Sequence, residues 1–239
     1  MELPKLVVCI IASAGRDDYK LYTNEWTRVI DACRERGYPI QFYFLRAEPT
    51  FKEIKIQGDI FVFPCAENLA PGIFKKTIGF YKWVFEQNIE FDYMVRTNLS
   101  SFYHFKYLLD NLTKQNRENY VCGMYVNHRY QYPTGCGAVF SKDVIKKFVD
   151  AYQDPIHHPH VHGLFDDQAF GYLMHHLKVS FHDYKLPIIN IGAKDNIDEM
   201  LKDTNKYHYR LKTSDNIWKR IENDVPMYKL LVDKVYYST

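Results

Sequence analysis

The chain has 239 residues, 46% hydrophobic and 25% charged, enough for one large core or two small ones. Lys and Arg total 31 against 29 Asp and Glu, so the net charge is +2. That balance argues against a nucleic-acid binder that depends on basic excess, and it excludes a charge-rich disordered chain.

Residues 5–12 (KLVVCIIA) form an unbroken apolar, β-branched run, the pattern of a parallel strand covered on both faces. Ser13-Ala14-Gly15-Arg16 follows as a turn. Residues 21–36 show helical spacing through Trp26, Val29, Ile30 and Cys33, and Gly37 ends that helix. Strands are expected at 40–45 and 59–64, and a helix over 73–87 with Ile73, Thr77, Phe80, Tyr81 and Val84 on one face. A fourth strand, 91–95, runs into the polar segment 96–102. A helix over 105–115 and a strand over 120–125 complete the alternation. Beyond it come a Gly-rich stretch at 135–141, a helix over 142–152, a Pro/His loop at 155–162, and a helix over 166–177. The tail reads as short strands and loops.

Strand and helix in alternation build a Rossmann-like α/β fold: a mostly parallel twisted sheet flanked by helices, with right-handed crossovers. No repeat, low-complexity tract or linker divides the chain, so one compact domain is expected over 1–239. In such sheets ligands sit beyond the carboxyl ends of the strands. Residues 13–16 and 96–102 stand at those ends.

The five cysteines are odd in number, widely spaced and without a Cys-x-x-Cys pair, which reads as reduced thiols. No basic, apolar leader opens the chain, and 6–12 is too short to span a bilayer. These features predict a soluble, cytoplasmic protein with no membrane span. The sequons Asn98-Leu99-Ser100 and Asn111-Leu112-Thr113 are then chance matches. The high aromatic share, 16% with 20 Tyr and 16 Phe, suits a site that stacks sugars or bases, and equally a Tyr-rich core.

Five segments are candidates for chemistry. Ser13-Ala14-Gly15-Arg16 has one glycine, too few for a dinucleotide or P-loop motif, yet its small residues can admit a base or ribose. Arg96, Asn98 and Ser100 bring donors and acceptors to a strand end, where an arginine fork fits a phosphate; Ser100-Ser101 can equally cap the next helix. Asp166-Asp167 opens an apolar helix. One acid serves as N-cap, and the other remains as a general base. His157, His158, His160 and His162 lie on a Pro-interrupted loop whose spacing does not match zinc sites, so no metal is expected there. His208, Arg210 and Lys212 alternate onto one strand face, either as an ordinary edge strand or as a diphosphate contact.

In this order the motifs resemble GT-A glycosyltransferases of the β3-galactosyltransferase and Fringe-like branch. Phe74-Lys75-Lys76-Thr77-Ile78 through Trp83 looks like that family's Lys-Thr…Trp helix. Residues 91–100 look like the strand leading to its Asp-x-Asp. Gly135-Cys136-Gly137-Ala138-Val139-Phe140-Ser141 is similar to its Gly-rich acceptor loop, and Phe165-Asp166-Asp167-Gln168-Ala169-Phe170-Gly171 to its Glu-Asp-Val-x-x-Gly helix. The match spans roughly 5–185, and the Arg-Thr-Asn-Leu-Ser-Ser-Phe segment is more loosely similar to small glycosyltransferases of large DNA viruses. A viral origin would place the protein in host cytoplasm.

The resemblance implies a GT-A fold and transfer of a hexosyl or pentosyl group, with inversion, from a nucleotide-diphosphate sugar to a carbohydrate hydroxyl of a glycan or glycoprotein. Residues to about 125 would form the nucleotide-sugar half and those from about 126 the acceptor half. Asp167 would be the base and Asp166 the cap or an acceptor contact. Ser13, Gly15, Arg16, Arg96, Asn98, Ser100, His208, Arg210 and Lys212 would bind donor, with Gly135 and Gly137 on the acceptor side. Asn98-Leu99-Ser100 stands where the family has Asp-x-Asp, and hard cations prefer carboxylates. Manganese or magnesium is therefore not expected as a required cofactor, and arginines or lysines would neutralise the diphosphate instead. Two other classes remain. One is a non-catalytic carbohydrate- or partner-binding protein on the same fold. The other is a nucleotidyltransferase, which would need paired metal carboxylates on the early strands, and these are lacking.

Overall fold

The computed structural model describes residues 2–13, 15–127, 131–153, 158–161, 163–183 and 197–238. Strand β1 (Leu6–Ile11) is buried along its whole length. It lies between β2 (Ile40–Ala47) and β5 (Tyr93–Asn98) and is parallel to both, with Leu6 opposite Ile40 and Tyr93. The unbroken apolar run follows from that position. Leu6, Val8 and Ile10 enter the core on one face, and Val7, Cys9 and Ile11 enter the core on the other.

Beyond β2 lie β4 (Ile60–Phe63), parallel, and the short antiparallel β3 (Lys55–Gln57). On the other side, β8 (Gln131–Ser141) runs antiparallel to β5 and to β7 (Val121–Asn127), and β9 (His182–Asp183) closes the sheet parallel to β7. The order is β3-β4-β2-β1-β5-β8-β7-β9. A second, two-stranded sheet pairs β6 (Ser101–Tyr103) with β10 (His208–Arg210), antiparallel.

Helices cover both faces. α1 (Asp17–Glu35) and α3 (Phe105–Leu112) pack on one side through Trp26, Val29, Ile30, Leu108 and Leu109. α2 (Gly72–Glu86), α4 (Lys142–Gln153) and α6 (Asp166–His176) pack on the other through Phe74, Phe80, Phe148 and Phe170. Gly37, at φ +65°, terminates α1 as expected, with the Tyr38 amide bonded back to Cys33. Short helices α5 (His158–Val161) and α7 (Ile197–Lys202) complete the middle of the chain.

Four expectations are corrected. α1 starts a turn early, at Asp17. The Gly-rich stretch 135–141 is no loop but part of β8, because Gly137 lies against the His208 and Tyr103 side chains, where a Cβ would collide. The fourth strand does not stop at 95: β5 runs on to Asn98, and the chain turns directly into β6. The tail is strand and loop only as far as β10 and the segment after it: α8 (Ile217–Lys219), a π segment (Arg220–Asp224), α9 (Val225–Val232) and a second π segment (Asp233–Tyr237) then follow without a break. This tail packs back on α1. Tyr228 meets Trp26 and Tyr22, and Arg28 pairs with Asp233 at 2.5 Å.

All five cysteines are free, and burial pushes the Cys9 and Cys33 thiols up to about 12. Among the described residues no helix is long and apolar enough to cross a membrane.

Candidate active site

Parallel pairing sets Ile11 beside Asn98, so the chain leaves β1 and β5 at the same edge of the sheet. A cleft of about 490 Å³ opens there. Gly15, at φ +95°, turns the chain from β1 towards α1. Arg16, just before the helix, lies over the Tyr19 ring at 4.3 Å and donates from Nε and Nη2 to Asp18 at 3.0 and 2.8 Å. Asp18 is fully buried and also meets Arg220 Nη1 at 3.1 Å. Arg220 is 4% exposed; its Nε stands 3.5 Å from Asp224, and its Nη2 has no hydrogen-bond partner among the described residues.

At the end of β5, Asn98 and Ser100 share one visitor. Strand β10, paired on β6, places Arg210 so that Nη1 donates to Asn98 Oδ1 and, at 2.5 Å, to Ser100 Oγ. Asn98 Nδ2 donates to the Gly135 carbonyl at 3.1 Å. The intervening turn is pinned by the buried Trp26, whose indole N–H donates to the Leu99 carbonyl at 3.0 Å. Burial lowers Arg210 from the ordinary arginine value, with Arg220 and Arg96 adding to that effect.

The two adjacent acids line the same cleft with different partners. Asp166 is not the N-cap of α6. That position is Phe165, which has no capping side chain. Asp166 is the first helical residue, 6% exposed, and forms an ion pair with Arg96, which also donates to the Gly135 carbonyl. Burial raises the Asp166 carboxyl above the usual carboxylate value, against the pull of Arg96. Asp167 is half-buried on the cleft; its Oδ2 accepts from the Gly135 amide at 3.2 Å and its Oδ1 from the Gln168 amide at 2.9 Å.

Ser13, Arg16, Arg96, Asn98, Ser100, Gly135, Asp166, Asp167, Arg210 and Lys212 therefore line one cleft, although they come from five regions of the sequence. Gly15 shapes the turn without lining it. His208 and Gly137 do not reach the cleft. His208 is 2% exposed and stacks on Tyr103 at 4.2 Å, directly against Gly137. Burial lowers its imidazole to about 3. In the histidine loop, His157 and His162 lie outside the described residues, and His160 stacks on Tyr172, away from the cleft.

Sequence reasoning missed Tyr19, Glu67 and Arg220, and it named Lys76 within the helix motif without giving it a role. Lys76 is fully buried; its ammonium donates to the Ala12 carbonyl at 2.8 Å and to Glu67 at 2.6 Å, while Glu67 also accepts from the Ala47 amide at 2.9 Å. This fastens the end of β1 to the cleft wall. Burial lowers the Lys76 amine below the usual lysine value, with Glu67 opposing. A signal was present: Lys76 is three residues after Ile73 and four before Phe80, on the apolar face of its helix. Tyr19 and Arg220 gave none.

The fold class raises the question of a divalent cation. The oxygens of Asn98 and Ser100 already accept from Arg210, and the nearby Asp166 is held by Arg96. Among the described residues no three His, Cys, Asp or Glu side chains converge. A hard cation takes several oxygen ligands, mainly carboxylates. This donor set does not fit one.

No protein-family model and no curated protein matches the sequence. In three dimensions the chain is similar to the crystal structure of a glycosyltransferase involved in the glycosylation of the major capsid of PBCV-1. The TM-score is 0.55 at 12% identity, covering 94% of this chain and 100% of that one. GlyE, a glycosyltransferase of Streptococcus pneumoniae TIGR4, gives 0.46 at 12% identity, over 100% of this chain and 66% of that one. The catalytic domain of Drosophila beta1,4galactosyltransferase 7 gives 0.44 at 9%, over 77% and 66%. The first likeness shows a shared fold and bears out the expected α/β class.

Proposed function

We propose that the chain is a glycosyltransferase acting on a nucleotide-diphosphate sugar and a carbohydrate hydroxyl. One observation carries this reading. The half-buried carboxylate of Asp167 and the guanidinium groups of Arg16, Arg210 and Arg220 line the same cleft at the carboxyl ends of β1 and β5. In open α/β sheets that edge is the ligand side. The fold shared with a glycosyltransferase supports the same class.

The chemistry follows from the charges. The acceptor hydroxyl gives its proton to Asp167 as its oxygen bonds to the anomeric carbon. The bond from that carbon to the phosphate oxygen breaks, and the nucleoside diphosphate leaves with the electron pair. Attack from the face opposite the leaving group inverts the anomeric centre. The cationic wall meets the developing charge. Ser13, beside the turn at Gly15, belongs to the donor end, and Gly135, bonded to Asp167, to the acceptor end. Lys76 and Glu67 are positioning residues, holding the end of β1. The resemblance of the motifs to the β3-galactosyltransferase and Fringe-like branch belongs to the same proposal. The free thiols suit a reducing compartment such as the cytoplasm.

The alternative, a carbohydrate-binding protein without turnover, is favoured by Asn98-Leu99-Ser100 in place of paired carboxylates. Incubation with a panel of nucleotide sugars and glycan acceptors, read by nucleoside-diphosphate release and the mass of the product, separates the two. Release with a product one sugar heavier is expected, and the product's anomeric configuration by NMR tests inversion. Sugar binding without turnover on any donor would favour the alternative.

A further inference from the structure

The ion pairs around the cleft leave one corner short of negative charge. Arg96 is matched by Asp166, Lys212 by Asp215 at 2.5 Å, and Lys76 by Glu67. Arg16 and Arg220 share the single carboxylate of Asp18, with Asp224 at 3.5 Å from Arg220. Among the described residues Arg210 bonds to the neutral Asn98 and Ser100 and to no carboxylate, and Arg220, which lines the same cleft, has a buried Nη2 without a hydrogen-bond partner. The half-buried Arg210 guanidinium has no carboxylate against it there, and its flat fork is shaped for phosphate oxygens.

We infer that Arg210, with Arg220 behind it, is the built-in counter-cation for the donor's diphosphate, and that the site binds a nucleoside diphosphate without a divalent metal. This rests on the glycosyltransferase reading above. A metal bridging the diphosphate to the end of β5 would need the oxygens of Asn98 and Ser100, and these already hold the Arg210 guanidinium. A second cation placed there would be repelled by the first. When the anomeric carbon–oxygen bond breaks, the charge appearing on the leaving phosphate oxygen falls beside a fixed guanidinium. Such a group needs no reorganisation at the moment of reaction.

Isothermal titration with UDP, GDP and inorganic pyrophosphate, in EDTA and then in manganese, tests this. At least one nucleoside diphosphate should bind equally, within about threefold, in both media. Arg210→Gln should weaken it at least about tenfold in both, and Arg210→Lys should restore only part, since a lysine keeps the charge but not the fork. Circular dichroism confirms that the variants fold, and the metal comparison needs no variant. Binding seen only with manganese overturns the inference and leaves the glycosyltransferase reading standing, as does a folded Arg210→Gln that binds like the parent. Pyrophosphate bound through Arg210 in EDTA with no nucleoside diphosphate bound keeps the anion seat and overturns the donor reading. Binding of none of the three overturns both.

Discussion

Replacing Asp166 by Asn removes one charge and almost no volume, so it isolates the Arg96–Asp166 pair. Their side chains are 4% and 9% exposed. Breaking a pair this buried costs about 3–5 kcal/mol, because the surviving ion has lost its counter-charge and cannot regain water. Asn still accepts one hydrogen bond, which puts the expected loss near the lower end, about 3 kcal/mol. A chain of this length loses about 2–4 °C per kcal/mol, so the melting temperature should fall by about 6–12 °C. Differential scanning calorimetry and urea titration read both quantities. Arg96→Met combined with Asp166→Leu should recover most of the loss, since an apolar pair leaves no charge stranded. Turnover per folded molecule should fall less than in Asp167→Asn, because Asp166 faces Arg96 and not the acceptor end. A melting temperature within about 2 °C of the parent, or a double variant no more stable than the single, would refute the reasoning.

Asp167→Asn should lower turnover by about 10²-fold or more while the melting temperature barely moves, as checked by initial rates on an identified donor and acceptor; full turnover would move the base elsewhere. His208 is held near 3 by burial, with Arg210 adding, whereas its unfolded value is near 6.5. Between those values the unfolded chain binds a proton that the native chain refuses, so stability drops as pH falls below about 6.5, by about 1.4 kcal/mol per unit for this group. His208→Gln should flatten urea midpoints plotted against pH by that amount; an unchanged slope would show that the group does not resist protonation. Gly137→Ala should cost about 1–3 kcal/mol by urea titration, since the new methyl meets the His208 and Tyr103 side chains, and a neutral result would mean those rings can yield.

The sequence made the α/β frame legible. Residues 6–11 could be read as a central strand because a strand covered on both faces has no polar position to interrupt it, and the face of α2 was legible because helical period is local. It also determined which strand ends carry polar groups, and that Asp166-Asp167 opens a helix. It misread the tail because Val225, Val232, Val235 and Tyr236 carry strand propensity. Their spacing against α1, with Pro226 in the first turn of α9, makes them helical. Which charges are spent and which are available emerged when the elements packed together. Asp166 meets Arg96 from 70 positions away, and Arg210 meets Asn98 from 112. Such pairings arise when separate elements bring charges into a low-dielectric cleft. No local period or short-range spacing encodes that encounter, so the roles of Asp166, His208 and Arg210 emerged only with the fold.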